Sequence, residues 1–209
     1  AGAVALLVAI VNYRVADLVI DCLRSVAREI SSVPGTQVVV CENGTGDDSA
    51  TRIQQAITDN GWGDWCSLIP LAVNLGFTGG NNVIIKPAMS RSDPPEYVLL
   101  LNPDTIVRPN AFKALVDFMD RNPKVGIAGS RLEDPDGTPQ RSAFRFHSPF
   151  GEFEANLKLG LVSRLLARWV VAPPVRDDTF ETDWVSGASM IIRRQVIETT
   201  GLLDEGYFT

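Results

Sequence analysis

Short apolar segments alternate with segments of helical pattern through the first 130 residues, and this alternation constrains the fold more than any other feature. The strand-like segments are 4–11, 37–41, 67–72, 97–101 and 125–130. The helical patterns between them are 16–30, 47–59, 83–89 and 110–121, with Pro87 expected to interrupt or end the third. Strands separated by single helices need right-handed crossovers, which place neighbouring strands parallel. The sequence therefore predicts an α/β fold with a mostly parallel central sheet flanked by helices.

A polar cluster follows each of the first four predicted strands. Ligands of such sheets bind outside the carboxyl ends of the strands, where the following loops meet. The four clusters are Asn12-Tyr13, Glu42-Asn43-Gly44, the segment 74–82, and Asn102-Pro103-Asp104. We therefore expect the four clusters to line one shared site.

Asp104 is the acid in the cluster after the fourth strand. A carboxylate there can take one position of Mg²⁺ or Mn²⁺, with diphosphate oxygens and water in the others. The cation would then neutralise charge on a leaving diphosphate. Alternatively, Asp104 closes a turn after Pro103 or caps the following helix. The position at a strand end favours the metal-binding interpretation.

Two further clusters contain groups suited to a nucleotide. Glu42 and Asn43 can hydrogen-bond to a pyrimidine edge or to ribose hydroxyls, and they also fit a simple turn before a helix capped by Asp47 or Asp48. The segment 74–82 combines three glycines with three asparagines. We predict that it is a loop leading into a helix N-terminus, where the backbone can approach an anion closely.

The second half carries weaker signals. A turn is predicted at 134–137 and a buried strand at 190–192. Trp184 precedes small residues and could stack on a sugar or base, although a core tryptophan is equally compatible. The segment 150–171 is amphipathic with a basic face; a solvated surface helix is favoured over a peripheral contact with a membrane that carries a lipid-linked acceptor.

Composition and charge exclude several classes of protein. The net charge of −6 argues against nucleic acid as the partner. A single histidine, His147, leaves little material for a zinc site or a Ser-His-Asp centre. The three cysteines lack C-x-x-C spacing and are predicted to be buried free thiols. The apolar run 3–11 lacks a basic flank and is much shorter than the roughly 20 residues of a spanning helix, so we expect a cytoplasmic protein, at the inner face of the membrane if 150–171 docks there.

Taken in order, these motifs resemble the inverting family-2 glycosyltransferases of GT-A fold, especially their rhamnosyltransferase-like branch. The matching segments are 8–13, 41–44, 74–77, 79–82, 100–104, 186–188, 192–194 and 201–208. The resemblance implies a UDP- or dTDP-sugar donor, a divalent cation (Mg²⁺ or Mn²⁺) held by Asp104, and transfer with inversion. The expected donor-binding residues are Asn12, Tyr13, Glu42, Asn43, Gly79, Gly80, Asn81, Asn82, Asn102 and Asp104. A pocket for the transferred sugar or the acceptor is expected at Trp184, Ser186, Gly187 and Ala188.

The chain departs from the family pattern at three points. Asn102 replaces the first acid of the family's D-x-D motif. Glu42 stands where the family usually has an aspartate that reads the base, which leaves the base open. The family's general base belongs to a Glu-Asp pair a few residues beyond a segment that is Asp204-Glu205-Gly206-Tyr207-Phe208 here, and the sequence stops at Thr209. The base is therefore unassigned and expected beyond Thr209.

The predicted activity is transfer of a sugar, rhamnose by the branch resemblance, to a glycan or lipid-linked acceptor in cell-surface polysaccharide synthesis. We expect one domain over 1–209, truncated at its C-terminus, with a nucleotide-sugar-binding half to about residue 105 and an acceptor half after it. A non-catalytic nucleotide-sugar-binding module is the alternative, because the Asn-Pro-Asp motif has one acid and the base is missing. A sugar-nucleotide pyrophosphorylase is disfavoured, since Asn12-Tyr13-Arg14 stands where such an enzyme carries a glycine-rich loop.

Overall fold

A computed structural model describes residues 4–146, 175–176 and 178–206. The chain divides into two compact units, the first formed by 1–128 with 190–209 and the second by 129–189. His147 and the whole of the predicted amphipathic segment 150–171 lie outside the described residues. Within the described ranges, no helix has both the length and the apolar content needed to cross a membrane.

The strands and helices follow the predicted alternation closely. The described strands are β1 (Leu6–Asn12), β2 (Thr36–Glu42), β3 (Cys66–Pro70), β4 (Tyr97–Leu101), β5 (Ile127–Gly129), β6 (Leu132–Glu133), β7 (Pro139–Gln140), β8 (Ala143–Phe144), β9 (Trp184–Val185) and β10 (Ser189–Arg193). The described α-helices are α1 (Ala16–Ala27), α2 (Ser49–Asp59), α3 (Gly76–Met89), α4 (Ala111–Arg121) and α5 (Arg194–Thr200), and short 3-10 helices lie at Ile30–Ser32 and Trp62–Asp64.

Six strands form the central sheet in the order β3-β2-β1-β4-β10-β5. The pairs β1–β2, β1–β4 and β2–β3 are parallel. In this register Asn12 lies opposite Glu42, and Glu42 lies opposite Pro70. The predicted α/β fold with a mostly parallel sheet is therefore confirmed.

Helices cover both faces of this sheet because its strands are apolar on both sides. Successive side chains of a strand point to opposite faces, and β1 follows this rule. Leu6, Val8 and Ile10 belong to one buried cluster, which also contains residues of α1, α2 and α4. Leu7 and Ala9 belong to a second buried cluster, which contains residues of α3 and α5. Burial on both faces explains why β1 is a continuous apolar run rather than an alternating one.

The predicted loop at 74–82 is wrong for most of its length. Helix α3 begins at Gly76 and runs through Pro87 to Met89, so Gly79 and Gly80 lie inside the helix. Packing explains the glycine-rich start: a Cβ on Gly80 would lie 2.8 Å from Val11 Cγ1. The low helix propensity of glycine is thus outweighed by the close contact that it permits between α3 and β1.

The second unit contains two small antiparallel strand pairs among its described residues. β6 pairs with β7 across the predicted turn, in which the Gly137 N–H donates to the Asp134 carbonyl at 2.8 Å. β8 pairs with β9, with Phe144 opposite Trp184.

Candidate functional site

The carboxyl ends of four strands lie at one edge of the sheet, as the sequence predicts. β1, β2, β3 and β4 are linked by parallel pairing. The polar clusters that follow them therefore leave the sheet at the same edge. The side chains of these clusters are engaged by the rest of the protein to very different extents.

Asn12, the last residue of β1, is fully buried. Its carbonyl accepts a hydrogen bond from the Asn43 N–H at 2.9 Å, and its Oδ1 accepts one from the Val15 N–H at 3.3 Å. Its Nδ2 has no hydrogen-bond partner among the described residues. A buried N–H₂ without a partner is costly, so this atom marks a position where a ligand or water would be stabilised.

Tyr13 and Arg14 follow Asn12 at the surface of the same edge. Tyr13 is 41% exposed, and the Arg14 guanidinium carbon lies 5.2 Å from the centre of its ring. Arg14 has a φ of 60°, a left-handed conformation that few residues other than glycine adopt. Its unusual backbone could not be recognised from the sequence.

Glu42, the last residue of β2, is a buried carboxylate. Its Oε1 accepts a hydrogen bond from the Thr45 N–H at 2.9 Å and lies 2.6 Å from the Thr45 hydroxyl. The same hydroxyl lies 2.7 Å from Asp47 Oδ1, which accepts from the Ser49 N–H at 2.8 Å. Hydrogen bonds from Ser49 and Thr45 lower the pKa of Asp47 to about 2. Of the two predicted caps of α2, Asp47 is thus the one that bonds to its first residue.

Asn43 is buried, and its side chain is fully engaged by the protein. Its Nδ2 donates to Asn74 Oδ1 at 2.9 Å and to the Gly76 carbonyl at 3.0 Å. Its Oδ1 accepts from the Leu75 N–H at 3.0 Å. The amide therefore ties the loop after β2 to the start of α3, and it has little capacity left for a ligand.

The start of α3 contains Gly79, Gly80 and Asn81. All three are buried, and Gly80 lies beside Asn43, since a Cβ on Gly80 would be 3.4 Å from Asn43 Nδ2. Asn81 Nδ2 donates to the Phe77 carbonyl at 2.9 Å. Asn81 Oδ1 is buried and, within the described ranges, has no hydrogen-bond partner. After Asn12 Nδ2, it is thus a second buried polar atom to which a ligand could hydrogen-bond.

Asn82 uses its amide differently, since it binds the chain after α5. Its Nδ2 donates to the Leu203 carbonyl and to Glu205 Oε1, and its Oδ1 accepts from the Leu203 N–H. The contact joins residues more than 100 positions apart, and no local pattern in the sequence indicates it.

Asn102 and Asp104 form the turn after β4. The Asn102 carbonyl accepts from the Thr105 N–H at 3.2 Å and from the Thr105 hydroxyl at 2.7 Å. The Asp104 side chain is exposed and makes no hydrogen bond or ion pair with the described part of the chain. It does not cap α4, whose first N–H groups bond to Glu29. Of the alternative roles of Asp104, the helix cap is therefore wrong, whereas the turn after Pro103 is present.

Asp104 could hold a divalent cation here only if a bound ligand supplied further oxygen atoms to the cation. Among the described residues, no three or more His, Cys, Asp or Glu side chains cluster in a way that could hold a metal. Asp104 offers a single unengaged carboxylate. Such a carboxylate fits the magnesium type of site, in which one or two protein oxygens are completed by phosphate oxygens and water.

The three cysteines are free and buried, as predicted. Burial raises the pKa of Cys22 and of Cys41 to about 11, and that of Cys66 to about 12. Cys22 lies beneath the turn after β4, with its Sγ 3.9 Å from Thr105 Oγ1. The thiols are therefore protonated at neutral pH and suit packing rather than nucleophilic chemistry.

The residues of the predicted sugar or acceptor pocket belong to the second unit. Trp184 stacks on Phe144 with ring centres 4.1 Å apart, and its N–H donates to the Arg145 carbonyl at 3.3 Å. The tryptophan is nevertheless 42% exposed. Ser186 Oγ accepts from the Ala188 N–H at 3.3 Å, which forms a tight turn around Gly187. Trp184 is thus a partly exposed side chain whose indole ring is held in place by stacking on Phe144.

Comparison with known proteins identifies the family to which the chain belongs. The family model described as "Glycosyl transferase family 2" matches residues 7–168. The chain belongs to glycosyl transferase family 2.

Two relatives of this family 2 domain are named for the sugar-transfer reactions of their own proteins. The N-acetylglucosaminyl-diphospho-decaprenol L-rhamnosyltransferase of Mycobacterium tuberculosis is 27% identical over 185 residues, covering 82% of this chain and 56% of the relative. The low-salt glycan biosynthesis hexosyltransferase Agl10 of Haloferax volcanii is 28% identical over 149 residues, covering 69% of this chain and 44% of the relative. The chain thus spans about half the length of the curated relatives that it matches.

Two solved structures show the same fold as the family 2 domain. The mannosyltransferase PcManGT of Pyrobaculum calidifontis, in complex with GDP-Man and Mn²⁺, has a TM-score of 0.60 at 14% identity, covering 96% of this chain and 47% of that one. S. aureus TarS 1–349, in complex with UDP-GlcNAc, has a TM-score of 0.58 at 17% identity, covering 95% and 48%. These similarities confirm the predicted GT-A fold.

Proposed function

We propose that this family 2 glycosyltransferase binds a nucleoside-diphosphate sugar at the carboxyl edge of β1 to β4, with Asp104 meeting a divalent cation and the diphosphate. One observation carries the proposal. Asp104 is an exposed, unengaged carboxylate at the strand edge that also holds Asn12, whose buried Nδ2 is unpartnered among the described residues. An edge with unused hydrogen-bonding groups beside a free carboxylate suits a polar, anionic ligand with its cation.

The contacts of each side chain assign different roles within the donor site. Asn12 Nδ2 can donate to the donor and Asn81 Oδ1 can accept from it. Glu42 reads a ribose hydroxyl or the base through the oxygen that Thr45 does not contact. Asn43 holds the loops in place instead of touching the donor. Tyr13, Gly79, Gly80 and Asn102 line the site.

The reaction follows from the bond that must break. The acceptor hydroxyl oxygen bonds to the anomeric carbon as the bond from that carbon to the diphosphate oxygen breaks, with inversion. Asp104 would hold a divalent cation, which would supply positive charge to offset the charge on the leaving diphosphate. A carboxylate opposite the diphosphate must take the hydroxyl proton. The family resemblance implies that this base belongs to a Glu-Asp pair a few residues after the segment 204–208.

The sugar and acceptor are proposed from the relatives. The name of the M. tuberculosis relative specifies transfer of L-rhamnose to N-acetylglucosaminyl-diphospho-decaprenol, a lipid-linked acceptor. We therefore propose rhamnose as the sugar and a glycan or lipid-linked acceptor, in polysaccharide synthesis at the cytoplasmic face of a membrane. The exposed Trp184, with Ser186, Gly187 and Ala188, is proposed to serve the sugar or acceptor.

Calorimetry tests the donor site. UDP-GlcNAc and dTDP-rhamnose are titrated with and without Mn²⁺ into the unsubstituted protein, Asp104→Asn and Asp93→Asn. Asp93 is a matched control, because it is also exposed but precedes β4 instead of following it. Asp104→Asn should weaken Mn²⁺-dependent binding by roughly tenfold or more, whereas Asp93→Asn should leave it unchanged. Equal affinities in the two variants would refute the assignment. Donor binding without transfer by the natural protein would favour the non-catalytic module.

A further inference from the structure

The side chain of Asn82 holds the chain segment that follows α5 against α3. Asn82 Nδ2 donates to the Leu203 carbonyl at 2.8 Å and to Glu205 Oε1 at 2.9 Å, and Asn82 Oδ1 accepts from the Leu203 N–H at 3.1 Å. Both amide protons and the amide oxygen are therefore used. We call this set of three hydrogen bonds the Asn82 clasp.

Apolar packing also holds Leu203, the main partner of Asn82, against α3. The Leu203 side chain packs against the buried cluster that contains Ile84 and Ile85 of α3. Gly201, with a φ of 88°, ends α5 and lets the chain turn towards this position. Leu203 is thus fixed by its side chain and by both of its backbone polar groups.

The clasp changes the expected role of Asn82. An amide has two donor protons and one acceptor oxygen, and all three are engaged by Leu203 and Glu205. Asn82 is also buried, with 4% of its surface exposed. A nucleotide could reach this side chain only by breaking bonds that hold the segment 201–206. The neighbouring Asn81, in contrast, has an oxygen with no hydrogen-bond partner in the described part of the chain.

We propose that Asn82 is a positioning residue for transfer: it fixes the segment 201–206, with the exposed acids Asp204 and Glu205, on the helix whose first turns line the donor site. This inference rests on the proposed function. Because the donor-site residues Gly80 and Asn81 belong to α3 and not to the segment, loss of the clasp would move the carboxylates of Asp204 and Glu205 without removing a donor contact. Loss of the clasp should therefore lower kcat and leave donor affinity intact.

A polarity swap tests the clasp in the complete natural protein. In Asn82→Asp the introduced carboxylate can still accept a hydrogen bond from the Leu203 N–H. It cannot donate to the Leu203 carbonyl or to Glu205 Oε1, so it is repelled by both oxygens. Adding Glu205→Gln supplies a donor in place of the opposing carboxylate. Glu205→Gln alone keeps an acceptor for Asn82, so it should behave like the unsubstituted protein. Asn60→Asp is the matched control, since Asn60 also donates to a carbonyl but at an exposed helix end.

We expect Asn82→Asp to lower kcat by roughly tenfold, with the donor KM and the calorimetric Kd for dTDP-rhamnose changed less than about threefold. Hydrogen exchange of the Leu203 amide should accelerate in the same variant. The double variant Asn82→Asp/Glu205→Gln should recover much of the lost kcat and much of the lost protection of this amide. If Asn82→Asp fails to fold, Glu205→Ala provides a milder loss of one bond and should lower kcat in the same way.

Two results would overturn the inference. One is a loss of donor affinity in Asn82→Asp comparable with that in Asp104→Asn, with the Leu203 amide still protected, because Asn82 would then touch the donor. The other is an unchanged kcat with a deprotected Leu203 amide. Failure of the unsubstituted protein to bind any nucleotide sugar is a different result, since it would refute the proposed function itself.

Discussion

The side-chain amide of Asn43 donates a hydrogen bond to Asn74 Oδ1, with 2.9 Å between the two atoms. Asn74 Oδ1 also accepts from the Gly76 N–H at 2.8 Å, at the first residue of α3. Through these two side chains, the loop after β2 fixes the start of the helix that lines the proposed donor site. The side-chain amide of Asn43 therefore contacts Asn74, Leu75 and Gly76.

Replacement of Asn43 should show how much this connection stabilises the fold. Asn43→Ala removes three hydrogen bonds and leaves the buried Gly76 carbonyl without this donor. We expect a loss of about 3 kcal/mol in the free energy of unfolding, measured by urea titration. Asn60→Ala, which removes an exposed amide bond, should cost less than about 1 kcal/mol. Similar losses in the two variants would contradict a special role for Asn43.

Gly44 and Gly46 offer a second matched pair, because both have left-handed backbones, with φ of 67° and 71°. A Cβ on Gly44 would lie 2.3 Å from the Val73 carbonyl carbon, whereas one on Gly46 would meet nothing within 4 Å. Gly46→Ala should therefore cost only about 1 kcal/mol of conformational strain. Gly44→Ala must also move the backbone before α3, so its cost should exceed about 3 kcal/mol. Equal urea midpoints would show that the two loops are not in close contact.

Glu29 caps α4 from a distant part of the sequence. Its buried carboxylate accepts from the Asn110 N–H at 2.9 Å and from the Phe112 N–H at 3.3 Å. Glu29→Gln removes the charge and substitutes a donor for one acceptor, so we expect about 2 kcal/mol of destabilisation. Glu198→Gln, at an exposed ion pair on α5, should change the thermal or urea midpoint little. A neutral effect of Glu29→Gln would mean that water replaces the cap.

The buried thiols should make stability fall at alkaline pH. In the native state the pKa values of Cys22, Cys41 and Cys66 are raised to about 11, about 11 and about 12 from an ordinary value of 9.0. The unfolded chain therefore loses these protons first. The contribution of the protonated thiols to the free energy of unfolding is therefore complete below pH 9, and it is lost as the pH rises through 11 to 12. Free energies of unfolding measured across this range should fall less steeply when all three cysteines are replaced by alanine. Parallel pH profiles would contradict the prediction.

The sequence by itself determined the sheet and the edge that carries the proposed site. Apolar runs such as β1 and β4 and the helical patterns between them are local signals, and chain connectivity then requires parallel strands with their carboxyl ends together. The polar residues that follow β1, β2 and β4 could be assigned to that edge because strand ends are marked in the sequence. The family could also be recognised from the order of its motifs.

Only the tertiary structure decided how the polar groups at that edge are used. Asn12 and Asn81 each have one polar atom without a partner among the residues that the structure describes. Asn43 and Asn82 are instead fully hydrogen-bonded to residues 31 to 123 positions away in the chain. All four are asparagines beside strand ends or at the start of α3, so no local pattern separates them. The same holds for the start of α3, which depends on the fit of Gly80 against Val11. Side-chain hydrogen bonds and close packing depend on which distant segments meet, and that is fixed only when the whole core has assembled.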